Sequence, residues 1–217
     1  MNNDSSGGPG FTLGEAVHAD APTIARIHTK AFPGFFLTSL GPAFLVRFYG
    51  AYIADPETVS IVARSDDGGK VVGVVVGAVD PGEFYRRLLI RKGFSLALIS
   101  ARAALRNPRI VRRLVRGLFY RGGSPAAELP EAALLASIAV DPDMQGTGLG
   151  SELVQAWCRQ MESLGVRRGY LTTDAVGNDS VNRFYERCGW ELLDSYRTSE
   201  GRLMNRYYWS STLGRAA

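Results

Sequence analysis

The stretch ALLASIAVDPDMQGTGLGSELVQAWCRQMESL, residues 133–164, leaves the chain few folds to choose from. Ala133 to Val140 is a short apolar run closed by Asp141-Pro142, and it reads as a buried strand. From Gly148 to Leu164, Leu149, Leu153, Ala156 and Trp157 recur at helical spacing. Gly146, Gly148 and Gly150 lie in the turn between them. A buried strand feeding a helix through such a turn belongs to a sheet with helices on its faces. The glycines let the backbone turn sharply and approach a ligand closely. The first-turn N–H groups of the helix lack intrahelical acceptors, and the helix dipole adds partial positive charge there. Such a turn suits a pyrophosphate.

Two nucleotide motifs fail on inspection. A P-loop ends in Gly-Lys-Ser/Thr, whereas Gly150 is followed directly by Ser151. A dinucleotide fingerprint is G-x-G-x-x-G in an early strand-helix-strand unit. Here the spacing is G-x-G-x-G, late in the chain and preceded by Gln145.

The remaining pattern alternates strands and helices. Phe11 to Val17 reads as a strand. Asp20 offers an N-cap to a helix from Ala21 to Phe32, with Ile24, Ile27 and Ala31 inward. FPGFFLTSLG is expected to be a loop, and Phe44, Leu45, Phe48, Tyr49 and Tyr52 resume helical spacing. Thr58 to Arg64 and Lys70 to Val79 form a hairpin around SDDGG. A helix over Phe84 to Arg91 is expected to end at Gly93, and Phe94, Leu98, Ala101 and Leu105 share a further helical face. Asn107-Pro108 then signals a new helix, with Ile110, Val111, Leu114, Val115, Leu118 and Phe119 as its apolar stripe. Gly169 to Thr173 is a strand, Asp179 to Arg187 a helix capped by Gly189, and Trp190 to Thr198 with Leu203 to Ser211 a terminal hairpin.

Composition bounds the class. The chain has 217 residues, 46% of them hydrophobic, as in a globular protein. No apolar run reaches the ~18 residues of a membrane span. The first ten residues are expected to be a disordered tail, and residues 11–213 a single domain. Cys158 and Cys188 are isolated thiols, which favours a reducing compartment and a cytoplasmic location. The net charge of +4 is unevenly placed. Phe84 to Ala127 contains no Asp or Glu but holds Arg86, Arg87, Arg91, Lys92, Arg102, Arg106, Arg109, Arg112, Arg113, Arg116 and Arg121. This basic helical insert, about residues 82–124, presents either a solvated helix face or a docking surface for an acidic partner such as acyl carrier protein or an anionic membrane surface. Its apolar stripes suggest a flap or a homodimer interface. Nucleic acid is disfavoured, because aromatic interleaving and known motifs are absent. His18 and His28 have no ligand-spaced partners, so they read as structural and no metal is expected.

VDPDMQGTGLG resembles the acyl-CoA-binding motif Q/R-x-x-G-x-G/A of the GNAT N-acetyltransferase superfamily, with Gln145, Gly148 and Gly150 at its fixed positions. NDSVNRFYERCGWEL resembles the downstream motif of the same family through Asn178, Tyr185, Gly189 and Trp190. The resemblance is specific from about Ser137 to Leu192. It implies an α/β (α+β) fold: a mixed, mostly antiparallel sheet of about seven strands flanked by helices, with the basic insert between the third and fourth strands.

It also implies acetyl-CoA, or another acyl-CoA, as co-substrate. Ile138, Ala139 and Val140 would pair with the pantetheine arm. Gln145, Gly146, Thr147, Gly148, Leu149, Gly150 and Ser151 would cradle the pyrophosphate, and Asn178 would contact the pantetheine or order its loop. Tyr185 would be the general acid for the departing thiolate. A thiol of pKa ~8.5 needs little protonation, so a phenol near ~10 suffices. The glutamate that several members carry on the fourth strand falls at Leu134, which cannot act as a base. Glu131, Asp174 and Glu83 remain as candidate bases, beside a water relay. Phe35, Phe36 and Tyr208 are candidates for the acceptor side, with core packing as the alternative. The expected acceptor is a small-molecule amine such as an amino sugar. A protein amine and a non-catalytic acyl-CoA-binding module are the alternatives.

Overall fold

The computed structural model describes residues 10–106, 132–198 and 201–211. The elements are β1 (Phe11–Glu15), α1 (Ala21–Ala31), α2 (Phe36–Ser39), α3 (Pro42–Ala54), β2 (Thr58–Ser65), β3 (Val71–Ala78), α4 (Pro81–Arg106), β4 (Ala133–Val140), α5 (Leu149–Ser163), β5 (Arg168–Asp174), α6 (Asp179–Arg187), β6 (Glu191–Arg197) and β7 (Leu203–Ser210). The strands form one sheet in the order β1-β2-β3-β4-β5-β7-β6. Every neighbouring pair is antiparallel except β4 with β5. This is the mixed, mostly antiparallel seven-stranded α/β architecture expected from the sequence.

Two hydrophobic clusters cover the two faces of the sheet. On one face α1 and α3 bury Ile24, Ile27, Leu45, Phe48 and Tyr52 against Val74, Val76 and Ala78 of β3. On the other, α5 buries Leu149, Leu153, Trp157 and Met161 against Val75, Leu135 and Leu171. The central strand β3 is therefore buried at every position, which explains its near-continuous apolar run VVGVVVGA. Its two glycines serve α5. A Cβ at Gly73 would lie 3.0 Å from Leu153 Cδ1, and one at Gly77 would collide with the Trp157 indole and the Leu134 carbonyl.

The strand β4 departs from regular pairing at one residue. Val76 faces Ser137 but Gly77 faces Leu135, so Ala136 is an extra, bulged residue. A bulge bends its strand. The pairing of β4 with β5 accordingly stops after Ala133↔Gly169 and Leu134↔Tyr170. From Leu135 to Val140 the β5-facing edge of β4 is open.

Three local expectations are corrected. The FPGFFLTSLG segment contains the short helix α2 rather than only a loop. Asp20 does not cap α1 with its side chain: the carboxylate accepts from the Val17 N–H and forms a bidentate pair with Arg64. The helix expected to stop at Gly93 runs on to Arg106. Glycine in a helix costs ~1 kcal/mol relative to alanine, which burial of Phe84, Leu88 and Leu96 outweighs. Phe94 and Leu98, which share a helical face, are both exposed, Phe94 at 81%. The Asn107-Pro108 cap, the apolar stripe from Ile110 to Phe119, and Glu131 lie outside the described residues.

Candidate active site

The glycine turn is built as its sequence suggests. Asp141 N–H bonds to the Val72 carbonyl, and a 3-10 turn over Pro142–Met144 follows, with the Asp141 carboxylate accepting from the Asp143 N–H. Thr147 Oγ1 donates to the Met144 carbonyl at 2.8 Å. Gly146 and Gly148 have φ of 81° and 87°, the left-handed region that glycine enters without steric cost. A Cβ at either would meet nothing within 4 Å, so the space above the turn is open. Among the described residues, no acceptor faces the backbone amides of Gly146 through Ser151. Gly150 differs. A Cβ there would press on the Phe184 ring at 3.3 Å, so this glycine lets α5 and α6 pack closely. The Leu149 side chain is fully buried in the core, and only its backbone faces the turn.

The helix α6 carries Tyr185 inward beside Asn182. The Tyr185 ring packs against Phe184, Trp190 and Tyr207 at 5.1, 6.3 and 5.9 Å between centroids. Burial pushes its phenol well above the ordinary value, so it is protonated at every physiological pH. An asparagine cluster sets the start of α6. Asn178 Nδ2 donates to Thr173 Oγ1 at 2.8 Å and to the Asp174 carbonyl, while Asn182 Nδ2 reaches that carbonyl and the Asn178 carbonyl. Asn205 of β7 donates to Asn182 Oδ1 at 3.0 Å. Asn178 thus orders the loop with its own amide. Sequence reasoning missed Asn182. The available signal was a polar, weak helix former three residues before Tyr185, on the same inward face.

Two candidate bases are already engaged. Both carboxylate oxygens of Asp174 bond to Arg202 Nη2, at 2.7 and 2.6 Å. Glu83 is bonded by Arg86 through two nitrogens and lies 3.3 Å from Arg87; the Arg86 guanidinium holds its carboxyl below the usual range. Glu131 lies outside the described residues. Leu134 stands in β4 with no carboxylate to offer. Of the acceptor-side candidates, Phe35 is exposed at the start of α2, and its ring lies 5.6 Å from Phe32. Phe36 is half-buried on the α1–α3 core. Tyr208, half-buried on β7, pairs with Tyr170 of β5 and with Glu191 of β6. The structure therefore places the glycine turn directly after the open edge of β4, and Gly150 of that turn packs α5 against α6.

The sequence profile of the acetyltransferase (GNAT) family matches residues 21–190. The chain belongs to the GNAT acetyltransferase family. No curated protein matches it in sequence. Solved structures share the fold. The Escherichia coli ribosomal-protein-S18-alanine N-acetyltransferase superposes with a TM-score of 0.57 at 17% identity, covering 95% of this chain and 98% of that one. A Drosophila melanogaster polyamine N-acetyltransferase gives 0.60 at 14% identity, covering 93% and 100%. A chimeric Vibrio cholerae spermidine N-acetyltransferase gives 0.58 at 15% identity, covering 92% and 95%.

GNAT enzymes are N-acetyltransferases that use acetyl-CoA as co-substrate. The residues of this GNAT chain fit that molecule on three counts: unsatisfied amides around Gly146 and Gly148, open space above both, and an unpaired strand edge beside them. Among the described residues, no helix is long and apolar enough to cross a membrane.

The two thiols report on the same region. Cys188 Sγ donates to Ser151 Oγ at 3.7 Å, at the first turn of α5, whereas Cys158 is buried on the core side of that helix. Burial pushes the Cys158 thiol up to about 12. Thiolate is the reactive form. Native alkylation at pH 8, read by peptide mass spectrometry, should therefore spare Cys158 and label Cys188, and coenzyme A should slow labelling of Cys188. Equal labelling of both thiols would contradict this packing.

Proposed function

We propose that the protein transfers an acetyl group from acetyl-CoA to a primary amine of a small molecule such as an amino sugar. The observation that carries this reading is the open β4 edge running directly into the unsatisfied glycine turn; the inward Tyr185 of α6, whose neighbour Phe184 lies against Gly150, supports it. Ile138, Ala139 and Val140 offer that edge to the pantetheine amides. The amides from Gly146 to Ser151, with the dipole of the 15-residue helix α5 behind them, hold the pyrophosphate.

The acceptor amine attacks the thioester carbonyl carbon. A C–N bond forms, the C–S bond breaks, and the thiolate leaves. A β4 backbone amide beside the bulge stabilises the developing oxyanion. Tyr185 donates a hydrogen bond, and then its proton, to the departing sulfur, and the proton shed by the attacking nitrogen, carried by water, restores the phenol. The depth of Tyr185 keeps this proton in place until the C–S bond breaks. On the acceptor side, exposed Phe35 supplies a flat apolar face suited to a sugar ring.

A second reading, a non-catalytic acyl-CoA-binding module that docks an acidic partner through the basic insert, draws on Leu134 and on the engagement of Asp174 and Glu83. Within α4, Arg86 and Arg87 are already paired with Glu83, Asp55 and Glu57. Comparing kcat/KM for glucosamine, spermidine, agmatine and an alanine-initiated peptide tests the acceptor class. The amino-sugar reading predicts preference for glucosamine. Preference for the peptide would overturn the small-molecule acceptor, and turnover of any amine would overturn the module.

A further inference from the structure

A chain of buried polar atoms joins α1, α3 and β4, and nothing in the catalytic reading above uses it. His28 of α1 is 1% exposed, and its Nδ1 lies 2.7 Å from Tyr49 Oη of α3. The same phenol oxygen lies 2.9 Å from Ser137 Oγ of β4. Tyr49 is wholly buried, whereas Ser137 is half-buried. Ser137 sits between the bulged Ala136 and Ile138, where β4 has left β5. The far nitrogen of the imidazole, Nε2, is buried with no hydrogen-bond partner, and the rings of Phe32 and Phe35 stand 5.0 and 6.4 Å from the imidazole centroid.

Such a chain can act as a proton sink or as an orienting device. The sink fails on its energetics. Burial pulls the His28 imidazole down to about 4, so a proton delivered there is held far more weakly than by any amine. The buried Nε2 also gives that proton no outlet. The chain is therefore neutral and directional.

Its direction depends on the tautomer of His28. Aromatic rings are negative on the face and positive at the edge. An N–H at Nε2 would have a weak acceptor in a ring face, and it leaves Nδ1 free to take the Tyr49 O–H. With the proton on Nε2, Nδ1 accepts. Tyr49 must then donate its only O–H to Nδ1, and its oxygen accepts the O–H of Ser137. The Ser137 oxygen is left with lone pairs alone on its open side.

We propose that Ser137, oriented by Tyr49 and His28, accepts a hydrogen bond from an N–H of the attacking amine. This rests on the acetyltransferase reading. Ser137 forms no covalent bond and keeps no proton: it turns the nitrogen lone pair toward the thioester carbon. Tyr49 and His28 are positioning residues. A site whose hydroxyl can only accept also favours acceptors that bring N–H groups over isosteres that do not.

Kinetics with whichever of glucosamine, spermidine and agmatine turns over test this. Ser137→Ala and Tyr49→Phe should each lower kcat/KM for the amine by about tenfold, the worth of one hydrogen bond, with the KM for acetyl-CoA unchanged. The double variant should be no worse than Ser137→Ala alone. Unchanged kcat/KM in Ser137→Ala, or additive losses, would overturn the proposal and leave the enzyme reading standing. Failure of the unaltered protein with every amine would instead overturn the enzyme reading, and the proposal with it. An activity-independent measurement is nitrogen NMR of histidine-labelled protein at pH 7, where only His18 and His28 give signals. The proposal requires the Nε2–H tautomer at His28. An Nδ1–H tautomer would overturn it, whether or not Tyr49→Phe folds.

Discussion

Replacing Tyr185 with phenylalanine should lower kcat by ~10–10²-fold, at the low end of what a positioned general acid contributes because a thiolate is a good leaving group. The dissociation constant of acetyl-CoA should change little. The ring packing against Phe184, Trp190 and Tyr207 survives the change, so the fold is kept. Among the described residues, the Tyr185 hydroxyl has no hydrogen-bond partner, so removing it orphans no neighbour. Since burial raises the phenol, its protonated form persists through neutral and mildly alkaline pH, and kcat should show no alkaline limb from this residue below pH ~10. Stopped-flow thiol detection across pH measures both effects. An unchanged kcat in Tyr185→Phe would remove the acid assignment. A large loss of acetyl-CoA affinity would turn it into a binding residue.

Gly77→Ala should cost about 3 kcal/mol of stability, at the upper end of overpacking penalties. The added Cβ would enter space held by the Trp157 indole and the Leu134 carbonyl, and one of these belongs to the backbone of β4. Relief requires α5 to rise off the sheet or the bulge at Ala136 to shift. Either move displaces the strand edge offered to the co-substrate, so KM for acetyl-CoA should rise together with the loss in denaturant midpoint. Gly14→Ala is the matched control. Its Cβ would meet nothing within 4 Å, and its effect should stay within ~0.5 kcal/mol. Equal stabilities for the two variants would refute the role given to Gly77 in seating α5.

The two predictions draw on information of different kinds. The turn from Gln145 to Ser151 was legible because it is a local pattern, glycines at fixed spacing between a strand and a helix, whereas Tyr185 was singled out only by its place in the downstream motif. The sheet was legible because strands read by periodicity arrived in an order that fits one layered architecture. What escaped is non-local. The bulge at Ala136 depends on how β4 registers against β3, and no residue in ALLAS announces it. The chain from His28 through Tyr49 to Ser137 links residues 21 and 88 positions apart. His28 therefore looked like an isolated structural histidine. Gly93 misled in the opposite sense: its local cost was weighed without the burial of Phe84, Leu88 and Leu96 that carries α4 through it. Within α4, Arg87 is likewise paired with carboxylates distant in sequence, Asp55 and Glu57.

The central claim is amine-dependent transfer from acetyl-CoA, and the most direct measurement is thiol release by the purified protein with identification of the N-acetylated product by mass spectrometry. The account predicts that an amine accelerates thiol release, with one acetyl amide formed for each thiol freed. Tight binding of acetyl-CoA with thiol release at the same slow rate in the presence and absence of every amine would contradict it.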